Sequence, residues 1–246
     1  MSTWTSRLVG IAVLLTLAAC GGGGGGIGMS GPTAVREATV TSDRVVIAGP
    51  EGFCVDPTST RDRGDTGFVL LGNCAAISNS RRAGQPAVPA VLTAAISAAG
   101  NTGQIADNLF ELDTFFRSDE GRRLLSRSQD AATVTVLDGA IEGDAFFLHA
   151  SDSSAGPIDG LQDSYWRAYL DLGDRIATLS VLGMEDRALS EAQSIATLRD
   201  FIRIVRQANS GPPTAGAVAP LPVQPAQPPA NVGPLWDVGL FRRIMG

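Results

Sequence analysis

Tyr165-Trp166-Arg167-Ala168-Tyr169-Leu170-Asp171-Leu172, then Gly173-Asp174, then Arg175-Ile176-Ala177-Thr178-Leu179-Ser180-Val181-Leu182-Gly183, is the stretch that decides the fold. Side chains alternate along the first run with the period of a strand, and the second run continues in β-branched and aliphatic residues. Between them Gly173-Asp174 is a two-residue connection of the hairpin kind. Tyr165 and Tyr169 share one face with Arg167 between them. Such a face can stack a sugar or peptide, or pack beneath a helix. Just upstream, Thr133–Leu137 and Ala145–Ala150 read as two more strands, with Asp138-Gly139 and Glu142-Gly143 as turns. Successive hairpins of this kind build an antiparallel sheet.

Working outward towards the N-terminus, residues 105–126 are helical, with Leu109, Leu112, Phe115 and Phe116 at helical spacing. Ser118 caps a second helical piece whose Asp119 and Glu120 suit the positive end of a helix and whose Leu124 and Leu125 form a buried face. Ala90–Ala99 is short, follows Pro89 and ends in Gly100-Asn101, so it reads as a strand although its composition also suits a helix. Phe68–Cys74 is a fully apolar run, which predicts a central strand. Residues 39–48 read as one strand ending at Gly49-Pro50, and Glu51–Pro57 as a compact turn. On the C-terminal side Ser190 opens a helix through Asn209, with Ile195, Leu198, Ile202 and Val205 on its core face. The expectation is an α+β domain over residues 38–209, an antiparallel sheet with two helical segments packed on one face in two layers. In order of elements it resembles the PsbP-like sandwich of small periplasmic and lumenal proteins.

The N-terminus carries a different signal. Arg7 precedes the apolar run Leu8–Ala19, which suits a signal peptide and is shorter than the roughly 20 residues that span a bilayer. Leu17-Ala18-Ala19-Cys20 resembles the lipobox of bacterial lipoproteins. The resemblance implies removal of residues 1–19, acylation of Cys20 and stable membrane anchoring. Gly21 stands where an Asp would retain an enterobacterial lipoprotein at the inner membrane. The implied location is therefore the cell envelope, facing the periplasm, at the outer rather than the inner membrane. Residues 20–37, with Gly21–Gly26, form a flexible tether. The region 38–209 is similar to uncharacterised lipoproteins of alphaproteobacteria, a likeness that brings no activity with it.

With Cys20 acylated, Cys54 and Cys74 remain of three cysteines. In an oxidising envelope compartment such a pair bridges, stabilising the fold by roughly 3 kcal/mol. The formal charge of −6 argues against nucleic acid as a partner, because phosphate attraction needs a basic face. All 19 basic residues are arginine, which excludes Schiff-base and P-loop lysine chemistry.

No complete catalytic or cofactor motif is present, and no metal or cofactor is expected. His149, the only histidine, is the one candidate catalytic residue, as a base towards Ser151, Ser153 or Ser154 with Asp152 or Asp159 orienting it. Acidic residues cluster at Asp56, Asp62 and Asp65, where calcium is conceivable, and at Asp159 and Asp163. A carboxylate pair could serve a hydrolase only if two of them face each other across a cleft. Residues 210–233 are rich in Pro, Ala and Gln and form a linker. In the terminal piece, residues 234–246, Trp236, Leu240, Phe241 and Ile244 would dock on an envelope protein or on the chain's own domain. These features lead to a membrane-anchored envelope lipoprotein acting as a non-catalytic binding or scaffolding module. The alternative is a periplasmic hydrolase using His149 or a carboxylate pair.

Overall fold

The computed structural model describes residues 34–100, 104–154 and 159–211. The leader 1–19, Cys20, the Gly-rich run, the linker beyond residue 211, and Trp236, Leu240, Phe241 and Ile244 lie outside the described residues.

The first two strands, β1 (Glu37–Val40) and β2 (Val45–Ala48), form a two-stranded hairpin, where the sequence reading expected one strand. Polar Thr41-Ser42-Asp43 breaks the apolar run. Thr41 and Arg44 take positive φ, and the Thr41 hydroxyl donates to Asp43 Oδ1 at 2.6 Å, which closes the turn. β3 (Phe53–Val55) replaces the expected turn: its three residues are all buried, and they pair with β5 (Gly67–Asn73). β4 (Arg61–Asp62) pairs with the start of β5. A single turn of helix, α1 (Cys74–Ile77), follows, and Cys54–Cys74 is disulfide-bonded with its Cα atoms 4.8 Å apart. β6 (Ala90–Ile96) is the strand favoured for that segment. The helices α2 (Leu109–Arg117) and α3 (Asp119–Leu125) come next, joined at Ser118, whose hydroxyl accepts from Gly121 N.

Four long strands and a helix complete the chain. They are β7 (Val134–Glu142), β8 (Ala145–Asp152), β9 (Leu161–Leu172), β10 (Arg175–Met184) and α4 (Glu191–Asn209). Asp138-Gly139 is not a turn. β7 continues through it with a register shift at Leu137, because Gly139 and Asp138 pair with Leu148 and His149.

The main sheet runs β3-β5-β6-β10-β9-β8-β7, with β4 on β5, and every pairing is antiparallel. β10 is the middle of this path, and β5 lies next to its end. The apolar run of β5 reflects cover rather than centrality: Val69 and Leu71 join the same core as Val40 and Ile47 of the β1–β2 hairpin. A Cβ at Gly67 would come within 2.6 Å of Val40 Cγ2, so hairpin and strand are in close contact.

The expected α+β architecture, an antiparallel sheet with helices, is what the chain forms. Two helical segments, α2 and α3, pack on one face. Leu112, Phe116 and Leu125 meet Phe146, Leu148, Tyr165 and Tyr169 there. α4 lies on the opposite face, so the domain has three layers in place of two. Its Leu198, Phe201, Ile202 and Val205 pack with Phe147, Trp166, Ala168 and Leu179. The alternation of β9 dictates this, since Trp166 and Tyr165 are both apolar, both buried and on opposite sides. A capping box between Ser190 and Gln193 starts α4, and Asn209 ends it by bonding both the N–H and the C=O of Val46 on β2.

Candidate functional site

His149 sits on β8 on the α4 side of the sheet, opposite Trp166 of β9 in register. The two rings stack at 4.6 Å with 13° between their planes. Ser164 lies one diagonal step along β9, and its Oγ is 2.7 Å from His149 Nε2. Register alone brings these groups together: Ser151 faces Ser164, His149 faces Trp166, and side chains two apart on a strand share a face. Burial pushes the imidazole pKa below its ordinary value, with Glu191 and Asp138 pulling the other way. In the neutral form that burial favours, His149 Nε2 accepts from the Ser164 hydroxyl or donates to its oxygen according to the tautomer. Among the described residues no carboxylate bonds its Nδ1, so the pair is a dyad without an orienting acid.

The constellation expected from sequence does not form. Asp152 falls on the other face and is fully buried, where it accepts from Arg127 N at 2.7 Å and from Ser154 Oγ at 2.7 Å. Burial raises its pKa, and the hydrogen bonds from Arg127 and Ser154 more than offset that, leaving the carboxyl below its ordinary value. Ser154 is therefore committed to Asp152, and Ser153 to the Thr133 carbonyl. The odd–even alternation of β8 separates His149 from Asp152, a point that the bare proximity of these residues in sequence conceals.

Over the first turns of α4, Glu191, Ala192, Ile195 and Arg199 line an open depression of about 460 Å³. Arg199 is engaged there in a two-point ion pair with Glu142, 2.8 and 2.5 Å. Trp166 Nε1 is buried without a hydrogen-bond partner.

The other candidates resolve into structure. Tyr165 and Tyr169 lie under α2 and α3, where Tyr169 stacks on Phe116 at 4.7 Å and Tyr165 donates to the Leu125 carbonyl at 3.5 Å. Burial pushes the Tyr165 pKa up to about 12. Asp56 closes its own turn through Thr58 and Ser59, and Asp62 accepts from Thr41 N and Gly64 N. Among the described residues no group of three acidic, histidine or cysteine side chains is placed to hold a metal ion.

One important residue escaped the sequence reading. Arg175, 3% exposed, donates to Asp43 Oδ2 at 2.8 Å, to the Ser97 carbonyl at 2.7 Å and to the Asp65 carbonyl. It ties the β1–β2 turn, the loop before β5 and the end of β6 to the start of β10. Its parity with Ala177, Leu179 and Val181 was the available signal: a charge in register with an inward apolar row needs buried partners.

Comparison with protein-family models, with curated proteins and with solved structures finds no match to this chain.

Proposed function

We propose that this protein is a membrane-tethered binding module of the bacterial cell envelope, lipidated at Cys20, facing the periplasm, and non-catalytic. The observation that carries the reading is the Cys54–Cys74 disulfide, whose two residues are 1% and 2% exposed. A buried bridge of this kind persists in an oxidising compartment, and Leu17-Ala18-Ala19-Cys20 supplies the matching export and anchoring signal. No helix among the described residues is long and apolar enough to cross a membrane, so the lipid is the proposed attachment. The outer membrane is favoured because Gly21 follows the cysteine.

In this reading an envelope protein is the partner, engaged through Trp236, Leu240, Phe241 and Ile244. Two tethered ends on one chain raise the effective concentration of anything bound to one of them at the other. Pull-down from envelope extracts with the full chain and with a chain ending at Gly233 tests this. We expect at least one protein captured by the full chain alone; identical partner lists would remove the segment as a docking site.

The Ser164–His149 contact of 2.7 Å favours a second reading, a periplasmic hydrolase. Turnover of short-chain esters that falls at least about a hundredfold in His149→Ala would support it, that being the usual scale of a general base's contribution. No turnover above buffer, or equal turnover in both chains, retires it.

A further inference from the structure

The two ends of the main sheet are finished differently. At one end β3 is closed: Val55 N–H donates to the Val35 carbonyl at 2.8 Å, and the Gln85–Pro86 backbone presses on Gly52 just before the strand. The separate hairpin is closed too, by the Asn209 carboxamide on the N–H and C=O of Val46. β7 is the other end strand, and among the described residues no strand pairs with its outer side. The turn at Gly143, with φ 64°, makes Glu142 and Ala145 a mutually bonded pair, so alternation turns the backbone groups of Ile141 and Gly139 outward. Gly139 N donates to Asp138 Oδ1 at 2.8 Å. The Gly139 carbonyl and both backbone groups of Ile141 have no partner among the described residues.

The same edge is apolar on one face. Among the described residues, the large apolar side chains left exposed are Phe110 at 81%, Leu137 at 48% and Ile141 at 40%. Two are on β7, and the third is on α2, which packs against β7. Two contacts fix the line of α2. A Cβ on Gly139 would collide with Asp113 Oδ1, and Leu125 of α3, further along the chain, shares a cluster with Val134 at the start of β7. Phe110, one turn before Asp113 on the same side of the helix, therefore stands towards Ile141, which shares a face with Gly139.

The opposite face is acidic. Asp138 and Glu142 are the charged residues of β7. Glu142 is taken by Arg199. Asp138 and Glu191, the two acids felt by His149, have no arginine within 4.0 Å among the described residues, although nine ion pairs form there. A second copy laid antiparallel on β7 would bring Asp138 and Glu142 close to their own counterparts, on a chain of formal charge −6. A foreign strand that alternates apolar and basic residues suits both faces. Its apolar side chains lie with Ile141 and Phe110, and its basic ones with Asp138. We infer that the edge of β7 from Asp138 to Glu142 is a strand-addition site for an extended, basic segment of another protein. This goes beyond the reading of the C-terminal segment, because it needs no residue outside the domain.

The probe is a fluorescein-labelled synthetic peptide, Thr-Val-Arg-Val-Arg-Val-Thr, titrated with the full chain and followed by anisotropy. Saturable binding is expected, at least about tenfold weaker when both peptide arginines are glutamate or when the chain carries Asp138→Asn. In this register the valine N–H groups face β7 and the arginine N–H groups face away. N-methylation of the valines should therefore weaken binding at least about tenfold, and N-methylation of the arginines should leave it unchanged. The peptide variants leave the protein untouched, so the result does not hang on a variant folding. No saturation up to about 1 mM peptide, equal affinity for the glutamate peptide, or equal effects of the two methylation patterns would each overturn the proposal. So would tighter binding once residues 234–246 are removed, which would make the chain's own tail the occupant, or a dimer of the chain lost in Ile141→Thr, which would make it a second copy. The pull-down reads residues 234–246 and this titration reads the domain, so each can fail without the other.

Discussion

His149 shows how a residue's register decides what it can do. Its ring is held flat against Trp166, bonded to Ser164, and half-buried. Burial disfavours the imidazolium, so between its lowered folded pKa and the ordinary value of 6.5 the unfolded chain binds a proton more readily than the folded one. The resulting stability is complete above about pH 6.5 and is lost as the pH falls through that window. Urea unfolding at intervals from pH 7.5 to 5 should therefore show a decline that His149→Gln removes. A slope unchanged in the variant would mean that His149 titrates as freely in the fold as in the unfolded chain. The carboxyl of Asp43 acts lower on the scale. Burial raises its pKa, and hydrogen bonds from Arg175 and the Thr41 hydroxyl more than reverse this. Its contribution is present above its ordinary value of 3.8 and is lost below it.

At the scale of elements, Arg175 is the joint between parts that backbone pairing leaves separate. The β1–β2 hairpin shares no ladder with the main sheet. Its attachments include apolar packing under α4, the two bonds from Asn209, Thr41 N on Asp62 Oδ1, Ser42 N on the Gly64 carbonyl, and Arg175 on Asp43. Replacing Arg175 by Met keeps the aliphatic stem but removes the guanidinium's bonds to the carbonyls of Asp65 and Ser97 and to the Asp43 carboxylate. We expect a loss of about 2–4 kcal/mol in denaturant unfolding, in line with removing a buried charged donor from several acceptors. A loss under about 0.5 kcal/mol, the level of an ordinary surface change, would show that the hairpin holds without it.

The same elements show what a single sequence discloses. The β9–β10 hairpin, the Ser118 and Ser190 caps and the helix in two pieces were all legible, because each rests on local periodicity or on one capping side chain. The β1–β2 turn was hidden because β1, Glu37-Ala38-Thr39-Val40, holds only two apolar residues, so the apolar run Val45–Ala48 drew the whole stretch into one strand. β3 was hidden because three residues give no periodicity, and only pairing with β5 and the bridge to α1 make them a strand. Placing α2–α3 and α4 on opposite faces needed the observation that β9 is apolar on both sides, which Tyr165 and Trp166 already state. The Ser164–His149 contact depends on the pairing of β8 with β9 one residue at a time, and a reading of proximity along the chain pointed to Asp152 and Ser154 instead.

For the whole molecule, a three-layer domain stands between two long segments of low sequence complexity. The Gly-rich run links it to Cys20, and residues 210–233 link it to Trp236 and Phe241. The proposed lipid anchor at one end and the apolar segment at the other would suit a device that holds something near a membrane. The Cys54–Cys74 bridge agrees with the oxidising compartment proposed for it. The central claim is the anchor, and the direct measurement is intact mass and N-terminal peptide mass spectrometry of the chain recovered from the envelope membranes of a Gram-negative bacterium. The account predicts a mature N-terminus at Cys20 carrying a diacylglyceryl group and an amide-linked acyl chain. A chain retaining residues 1–19, or one cleaved with a free Cys20 thiol, would contradict it.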